Sequence, residues 1–184
     1  MASQPRFAPS SEGQGLSVRL FDPKFRRDAG PYAAQCLAAS VTIFIVLCVL
    51  DTLAHTVLIA ALGASSFIAF TMPHTHSARP RYLVGGYVVG MIVGCSASVI
   101  GAVFIGIAAE EFQHFLAIAF AAAATGGAMF MMTITDTEHP PAAGLALGFA
   151  VNEWDMLTVA VVFIGISSIS LTKEIFKARL KNLL

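Results

Sequence analysis

Charge is scarce in this sequence. Only 12% of the 184 residues are Asp, Glu, Lys or Arg, whereas 57% are hydrophobic. A typical soluble domain has roughly 25% charged residues, so this composition excludes a chain that presents a water-exposed surface on all sides. The solvent expected around most of the chain is therefore a lipid bilayer.

Cysteine and clustered ligands are also scarce. The three cysteines, Cys36, Cys48 and Cys95, lie within apolar stretches, and an odd, buried set excludes a disulfide framework. His74 and His76 form a His-x-His pair without a clear third ligand, so no metal site and no cofactor are expected. The formal net charge is zero, and the absence of a broad basic face excludes a nucleic-acid partner.

Six apolar segments are present, and they predict an all-α, polytopic membrane helix bundle with six membrane elements. They cover residues 31–50, 55–72, 82–109, 112–135, 140–151 and 156–172. The chain thus divides into an N-terminal tail at 1–30, a transmembrane domain at 31–172 and a basic C-terminal tail at 173–184. No secretory signal pattern precedes the first segment, which is expected to stay in the mature protein.

The second and fifth segments are the short ones. The second is interrupted by Gly63-Ala64-Ser65-Ser66, and the fifth has only twelve residues, about 18 Å of helix, which is too short to cross a bilayer alone. These segments are predicted to be broken helices or half-helices. Their corresponding positions in two sets of three predict a 3+3 inverted repeat, in which such segments border a central binding site.

A ridge of small residues marks the third segment, where Gly86, Gly90, Gly94, Ser98, Ala102 and Gly106 recur at every fourth position. Such a ridge lets another helix approach closely. Six short elements enclose little volume for a transport pathway, and the ridge supplies a face on which another subunit can pack closely. These two features together predict a homo-oligomer.

The eleven Lys and Arg residues predict the orientation. With loops placed alternately, all of them fall on one side of the membrane, opposite Asp51, Glu110, Glu111, Glu153 and Asp155. The positive-inside rule then makes both termini cytoplasmic, and a bacterial inner membrane is the expected location. The C-terminal tail is basic and amphipathic, which is typical of a segment that lies on a membrane surface and contacts lipid.

The candidate site combines two polar stretches. One begins at Thr135 and runs through Asp136, Thr137, Glu138 and His139 to Pro140 and Pro141, at the predicted start of the fifth element. Free N–H groups in that first turn are predicted to form an anion site, with Asp136, Glu138 and His139 available for proton coupling. The alternative is that Glu138 and His139 only cap the helix.

The other stretch contains Gly63, Ser65 and Ser66, whose hydroxyls are predicted to line a cavity together with His139. Close helix packing by small residues is the alternative explanation. Ser65 after Gly63 also resembles the Gly-x-Ser-Gly of intramembrane serine proteases, with His139 as the base, although Ser66 replaces the final glycine. Besides a transporter that uses this site, two other functions stay open. One is an intramembrane Ser/His hydrolase, and the other is a structural or assembly protein.

Two blocks of residues resemble the HPP family of integral membrane proteins. The first comprises Leu62-Gly63-Ala64-Ser65-Ser66, Met72-Pro73, Ala78-Arg79-Pro80-Arg81 and Gly85-Gly86, and the second is Thr135-Asp136-Thr137-Glu138-His139-Pro140-Pro141-Ala142-Ala143-Gly144. The resemblance extends from about residue 30 to about residue 172 and implies about four spans. Some members are implicated in nitrite transport across plastid and cyanobacterial membranes. The resemblance therefore implies a non-enzymatic transporter or channel for a small inorganic anion, with nitrite as the first candidate.

Overall fold

A computed structural model describes residues 29–50 and 56–183, so nearly all of the predicted N-terminal tail, and Asp51, lie outside the described residues. Within these residues the chain forms six α-helices and a short 3-10 turn at His76–Ala78, and no strand. The helices are α1 (Ala29–Leu50), α2 (Thr56–Thr71), α3 (Pro80–Ile107), α4 (Glu110–Thr135), α5 (Pro140–Val151) and α6 (Met156–Phe176). The predicted all-α bundle of six elements is confirmed.

The outer surface of the bundle is apolar. Val103, Phe115 and Phe130 are among the large hydrophobic side chains that stay exposed on α3 and α4. Three helices in the described part of the chain, α3, α4 and α6, are long and apolar enough to span a membrane, whereas the described parts of α1, α2 and α5 are shorter apolar helices. This pattern is that of an integral membrane helix bundle.

The half-helix α5 lies at the centre of the bundle, where α2, α3 and α4 surround it. Half of its twelve residues are buried, namely Ala142, Ala143, Leu145, Ala146, Gly148 and Phe149. A helix about 18 Å long cannot reach both surfaces. The helix is held inside the bundle because its apolar side chains pack on neighbouring helices and not on lipid.

Helix α5 packs closely against the glycine ridge of α3. A Cβ atom added at Gly90 would lie 2.5 Å from the carbonyl oxygen of Ala142, and one added at Gly94 would lie 2.7 Å from that of Ala146. Both approaches are closer than any real side chain tolerates, so the two backbones touch because glycine leaves room. This half of the ridge therefore packs within the chain, and it is not needed as an oligomer face.

The predicted break in the second element is wrong. Helix α2 continues without interruption through Gly63 and Ser65 to Thr71. An unpaired backbone group in hydrocarbon costs several kcal/mol, whereas a glycine in a helix costs only about 1 kcal/mol. The Ser65 hydroxyl also lies 3.0 Å from the Ala61 carbonyl oxygen, a local contact that helices accommodate.

Part of the C-terminal tail packs against the protein, whereas Ile175 and Phe176 stay exposed, so its contact with a membrane surface stays a prediction. Helix α6 extends past residue 172 to Phe176, and Leu180 and Leu183 are buried beyond it. The Leu183 N–H donates to the Thr71 carbonyl at 2.8 Å. The tail thereby satisfies a carbonyl at the end of α2 that no further helical turn can reach.

The basic end of the bundle, as we call it, holds the tail, the start of α1, the α2–α3 connection with Arg79 and Arg81, and the α4–α5 turn. Hydrogen bonds join these segments, including Tyr32 Oη to the Leu183 carbonyl at 2.8 Å and Arg81 Nε to the Asp136 carbonyl at 3.1 Å.

Candidate functional site

His139 is placed by the sharp turn that joins α4 to α5. Asp136 adopts a left-handed conformation with φ of 52°, which Asp tolerates better than most residues. The Thr137 N–H then donates back to the Met132 carbonyl at 3.0 Å, which closes the end of α4. Two residues later His139 is extended and directly precedes α5, so its ring enters the bundle and not the solvent.

A polar cluster of Ser65, Tyr87 and His139 lies inside the bundle. The Ser65 Oγ atom is 2.8 Å from His139 Nε2 and 2.8 Å from the Tyr87 hydroxyl. The other ring nitrogen, His139 Nδ1, is 3.1 Å from the carbonyl oxygen of Ser77. All three cluster side chains are fully buried.

The hydrogen-bond directions follow from the chemistry of the groups. The Ser77 carbonyl can only accept, so Nδ1 carries a proton, and in a neutral ring Nε2 must accept. Ser65 then donates to His139 and accepts from Tyr87. When Nε2 is also protonated, it donates to Ser65, whose hydroxyl proton turns to the Ala61 carbonyl 3.0 Å away. The cluster can take up a proton with no movement of its heavy atoms.

The structure brings Ser65 and His139, two of the predicted site residues, into direct contact, but only His139 lies at the start of a helix. Helix α2 begins at Thr56, so Ser65 lies well inside it, whereas His139 precedes the first turn of α5. At the other end of α5, a Cβ added at Gly148 would lie 2.7 Å from Leu58 Cδ2. Helices α2 and α5 are therefore antiparallel, as an inverted repeat requires.

Ser66 has a buried hydroxyl. Its Oγ atom finds no hydrogen-bond partner within the described part of the chain, and the residue is only 3% exposed. A buried hydroxyl without a partner is costly, so it is available to a ligand. Gly63 differs, because it is exposed and a Cβ added there would meet no atom within 4 Å. Gly63 does not line the cluster.

The predicted anion site at the N–H groups of α5 is not formed. Pro140 and Pro141 have no N–H, and the Ala142 N–H donates to the His139 carbonyl at 2.9 Å. The first three residues of the helix therefore offer no free donor, although the positive end of the helix dipole remains. Any anion held here must rely on side-chain donors.

Asp136, one of the two acidic residues of the turn, is directed away from the cluster. Asp136 is exposed, pairs with Arg81 at 3.3 Å and accepts a hydrogen bond from the Tyr82 hydroxyl at 2.8 Å. Arg81 also donates to the Thr135 carbonyl at 3.2 Å, so it neutralises Asp136 and fixes the end of α4. Repulsion of an anion by Asp136 is thereby reduced.

Thr135 and Thr137 hydrogen-bond to each other at 2.8 Å near the surface, outside the cluster. Glu138 is exposed. It lines a cavity of about 250 Å³, together with His139, Pro140 and residues of α4 and α5. This cavity brings a carboxylate and the cluster histidine to one space.

Sequence reasoning missed Tyr87, Ser77 and the role of Arg81. Tyr87 directly follows Gly86 of the ridge and places a hydroxyl within a membrane span, which is the signal that could have indicated it. Ser77 contributes only its backbone carbonyl, so its side-chain type carries no signal.

Comparison with known proteins identifies one family. Residues 26–179 match the family described as HPP, transmembrane region. Comparison with curated proteins and with solved structures finds no significant match.

Proposed function

Because the chain belongs to the family of HPP transmembrane proteins, we propose that it carries a small monovalent inorganic anion across a membrane, with nitrite as the first candidate. The polar cluster carries this proposal. It offers hydroxyl and imidazole donors inside an apolar bundle, and no carboxylate among the described residues hydrogen-bonds to it. Anions accept hydrogen bonds from such donors, whereas a cation requires oxygen lone pairs from carboxylates or carbonyls.

Dehydration of the anion sets the energetic requirement. Moving an unpaired ion into an apolar interior costs far more than the roughly 0.3–2 kcal/mol that a helix terminus returns. Ser65, Ser66, Tyr87 and His139 therefore have to donate directly to the ion. The free hydroxyl of Ser66 is the donor that can do so without breaking a bond in the described structure.

A proton on His139 would offset most of the remaining cost. An imidazolium and an anion that enter together neutralise each other, whereas each alone would be an unpaired buried charge. If His139 releases its proton on the same side as the anion, no net charge crosses, which avoids about 2.3 kcal/mol per 100 mV of opposing potential. Glu138 shares the cavity beside His139 and is our candidate for proton exchange with solvent, while Asp136 stays paired with Arg81.

The test is nitrite uptake into liposomes that contain the purified protein. We expect Ser65→Ala and His139→Ala to lower uptake, and uptake by the wild type to rise as external pH falls. Ser66→Ala is the most informative variant, because removing an unpartnered hydroxyl should not destabilise the fold and any loss of uptake then reports on the ion. Ser96→Ala, which removes an exposed hydroxyl bonded to its own helix, is the matched control.

Two results would count against the proposal at different levels. Wild-type liposomes that show no flux of nitrite, nitrate, formate or chloride above protein-free liposomes would reject transport. Flux that is unchanged in the Ser65, Ser66 and His139 variants would retain transport and reject this site. Folding of each variant is checked by size-exclusion chromatography and circular dichroism.

A second function is favoured by the same geometry. A serine that donates to a histidine at 2.8 Å, with the other ring nitrogen fixed by a carbonyl, has the order of nucleophile, base and orienting group found in hydrolases. Complete burial of Ser65 and its contact with Tyr87 oppose this function. Covalent labelling of wild-type protein, but not Ser65→Ala, by an alkyl fluorophosphonate would favour a hydrolase. Absence of both flux and labelling would favour a structural or assembly protein.

A further inference from the structure

An apolar groove runs between α1 and α6 on the outside of the bundle. Its volume is about 540 Å³. The side chains that line it include Leu37, Val41 and Ile45 from α1 and Ile164, Thr172 and Phe176 from α6. Leu37 and Val41 are 66% and 46% exposed, so the described chain leaves these surfaces uncovered. Its apolar lining suits an apolar occupant.

The C-terminal tail starts at one end of the groove, at the basic end of the bundle. Helix α6 ends at Phe176, which lines the groove, and the chain then returns to α1. There the Lys181 N–H donates to Gln35 Oε1 at 2.9 Å, and Gln35 Nε2 donates to the Lys181 carbonyl at 2.9 Å. Gln35 directly follows Ala34, another lining residue. Residues 177–181 are therefore held beside one end of the groove.

The segment that begins at this end of the groove concentrates positive charge. Residues 173–181 contain four cations and one carboxylate, Glu174. Glu174 bonds to Lys173 at 2.6 Å and to Lys177 at 3.3 Å, so it cannot neutralise the whole segment. Lys177, Arg179 and Lys181 are exposed. An apolar groove thus ends at a cationic surface.

We propose that this groove binds an anionic glycerophospholipid, with an acyl chain along α1 and α6 and the phosphate at Lys177, Arg179 and Lys181. The two chemical parts of the site match the two parts of such a lipid, because basic pockets between helices bind anionic head groups. A second copy of this chain fits less well, since two-fold pairing through the groove would bring two cationic tails together. This inference is independent of what the polar cluster transports.

Native mass spectrometry in mild detergent tests the proposal, with phosphatidylglycerol and phosphatidylcholine of identical acyl chains as the probes. We expect the wild type to retain phosphatidylglycerol preferentially. The triple variant Lys177→Gln, Arg179→Gln, Lys181→Gln should lose this preference, by roughly fivefold for each cation removed. Arg79→Gln, which removes an exposed cation at the same end but away from the groove, is the matched control and should keep the preference.

Val41→Trp fills the groove without changing charge, and it tests the acyl-chain part independently of the tail. It should lower retention of both lipids. Equal retention of the two lipids by the wild type would overturn the proposal, as would loss of preference in Arg79→Gln equal to that in the triple variant. A dimer that Val41→Trp dissociates, with no lipid retained by the wild type, would assign the groove to a second copy instead.

Discussion

Tyr87 and His139 have different roles in the polar cluster, and the difference can be measured. The Tyr87 hydroxyl hydrogen-bonds to Ser65, whereas His139 is the group that we propose takes up a proton. A hydroxyl that turns toward an incoming anion contributes to affinity. A base that becomes charged contributes to pH dependence.

We expect Tyr87→Phe to raise the nitrite concentration at half-maximal flux by roughly two- to tenfold, which corresponds to one neutral hydrogen bond, and to keep the increase of flux at low pH. We expect His139→Gln to remove that increase, because an amide does not take up a proton in this range. Flux in liposomes as a function of nitrite concentration and pH measures both. A Tyr87→Phe variant that loses its pH dependence would contradict this division of roles.

At the scale of elements, the position of α5 depends on the α3 surface against which it packs. Its two leading prolines favour the start of a helix, and its own length is insufficient to cross a membrane. Close contact with the α3 glycines therefore fixes its depth, and with it the position of His139. A Cβ added at Gly86 would lie 2.7 Å from His139 Cβ, so the ridge reaches the site itself.

Gly90→Ala and Gly63→Ala form a matched pair for this argument. The added methyl group meets the Ala142 carbonyl oxygen at position 90 and open space at position 63. We expect Gly90→Ala to lower the stability of the folded protein by about 1–3 kcal/mol through overpacking. We expect Gly63→Ala to leave the stability unchanged or to raise it slightly, because alanine favours a helix. Melting temperature in detergent measures the difference. Equal melting temperatures would show that the ridge does not hold α5 as tightly as the distances indicate.

At the scale of the whole molecule, the basic residues of the described chain gather at one end. Arg79 and Arg81 share that end with Lys177, Arg179 and Lys181, because the tail hydrogen-bonds to the α2–α3 connection through His74 and Leu180. A protein whose cations all face one side takes a fixed orientation in the membrane. We therefore expect the basic end to face the cytoplasm.

Cysteine labelling tests this orientation. Cys36, Cys48 and Cys95 are first replaced by serine, and a single cysteine is then placed at Arg79, which is exposed, whereas neighbouring Ala78 is fully buried. We expect an impermeant maleimide to modify Arg79→Cys in inside-out vesicles only. A cysteine at Glu110, at the opposite end of α3 and α4, is the control and should react from the other side. Reaction of Arg79→Cys from outside intact cells would reverse the topology.

The sequence by itself determined the architecture, because hydrocarbon imposes simple demands on a chain. Long apolar segments had to be helices, the twelve residues of 140–151 had to form a half-helix, and the two blocks that resemble the HPP family contain Ser65 and His139, which the structure brings together. Arg79 and Arg81 likewise indicated which connections share an end. These features depend on length, hydropathy and charge, which are read along the chain.

Only the tertiary structure decided which polar groups contact one another and which remain available for further hydrogen bonds. It placed Tyr87 and the Ser77 carbonyl on the Ser65–His139 pair, paired Asp136 with Arg81, and used the Ala142 N–H within α5. It also kept α2 unbroken and folded the tail against α1 and α2. These outcomes depend on competition among hydrogen-bond partners that are distant in sequence, and a buried donor or acceptor takes the partner that packing brings to it.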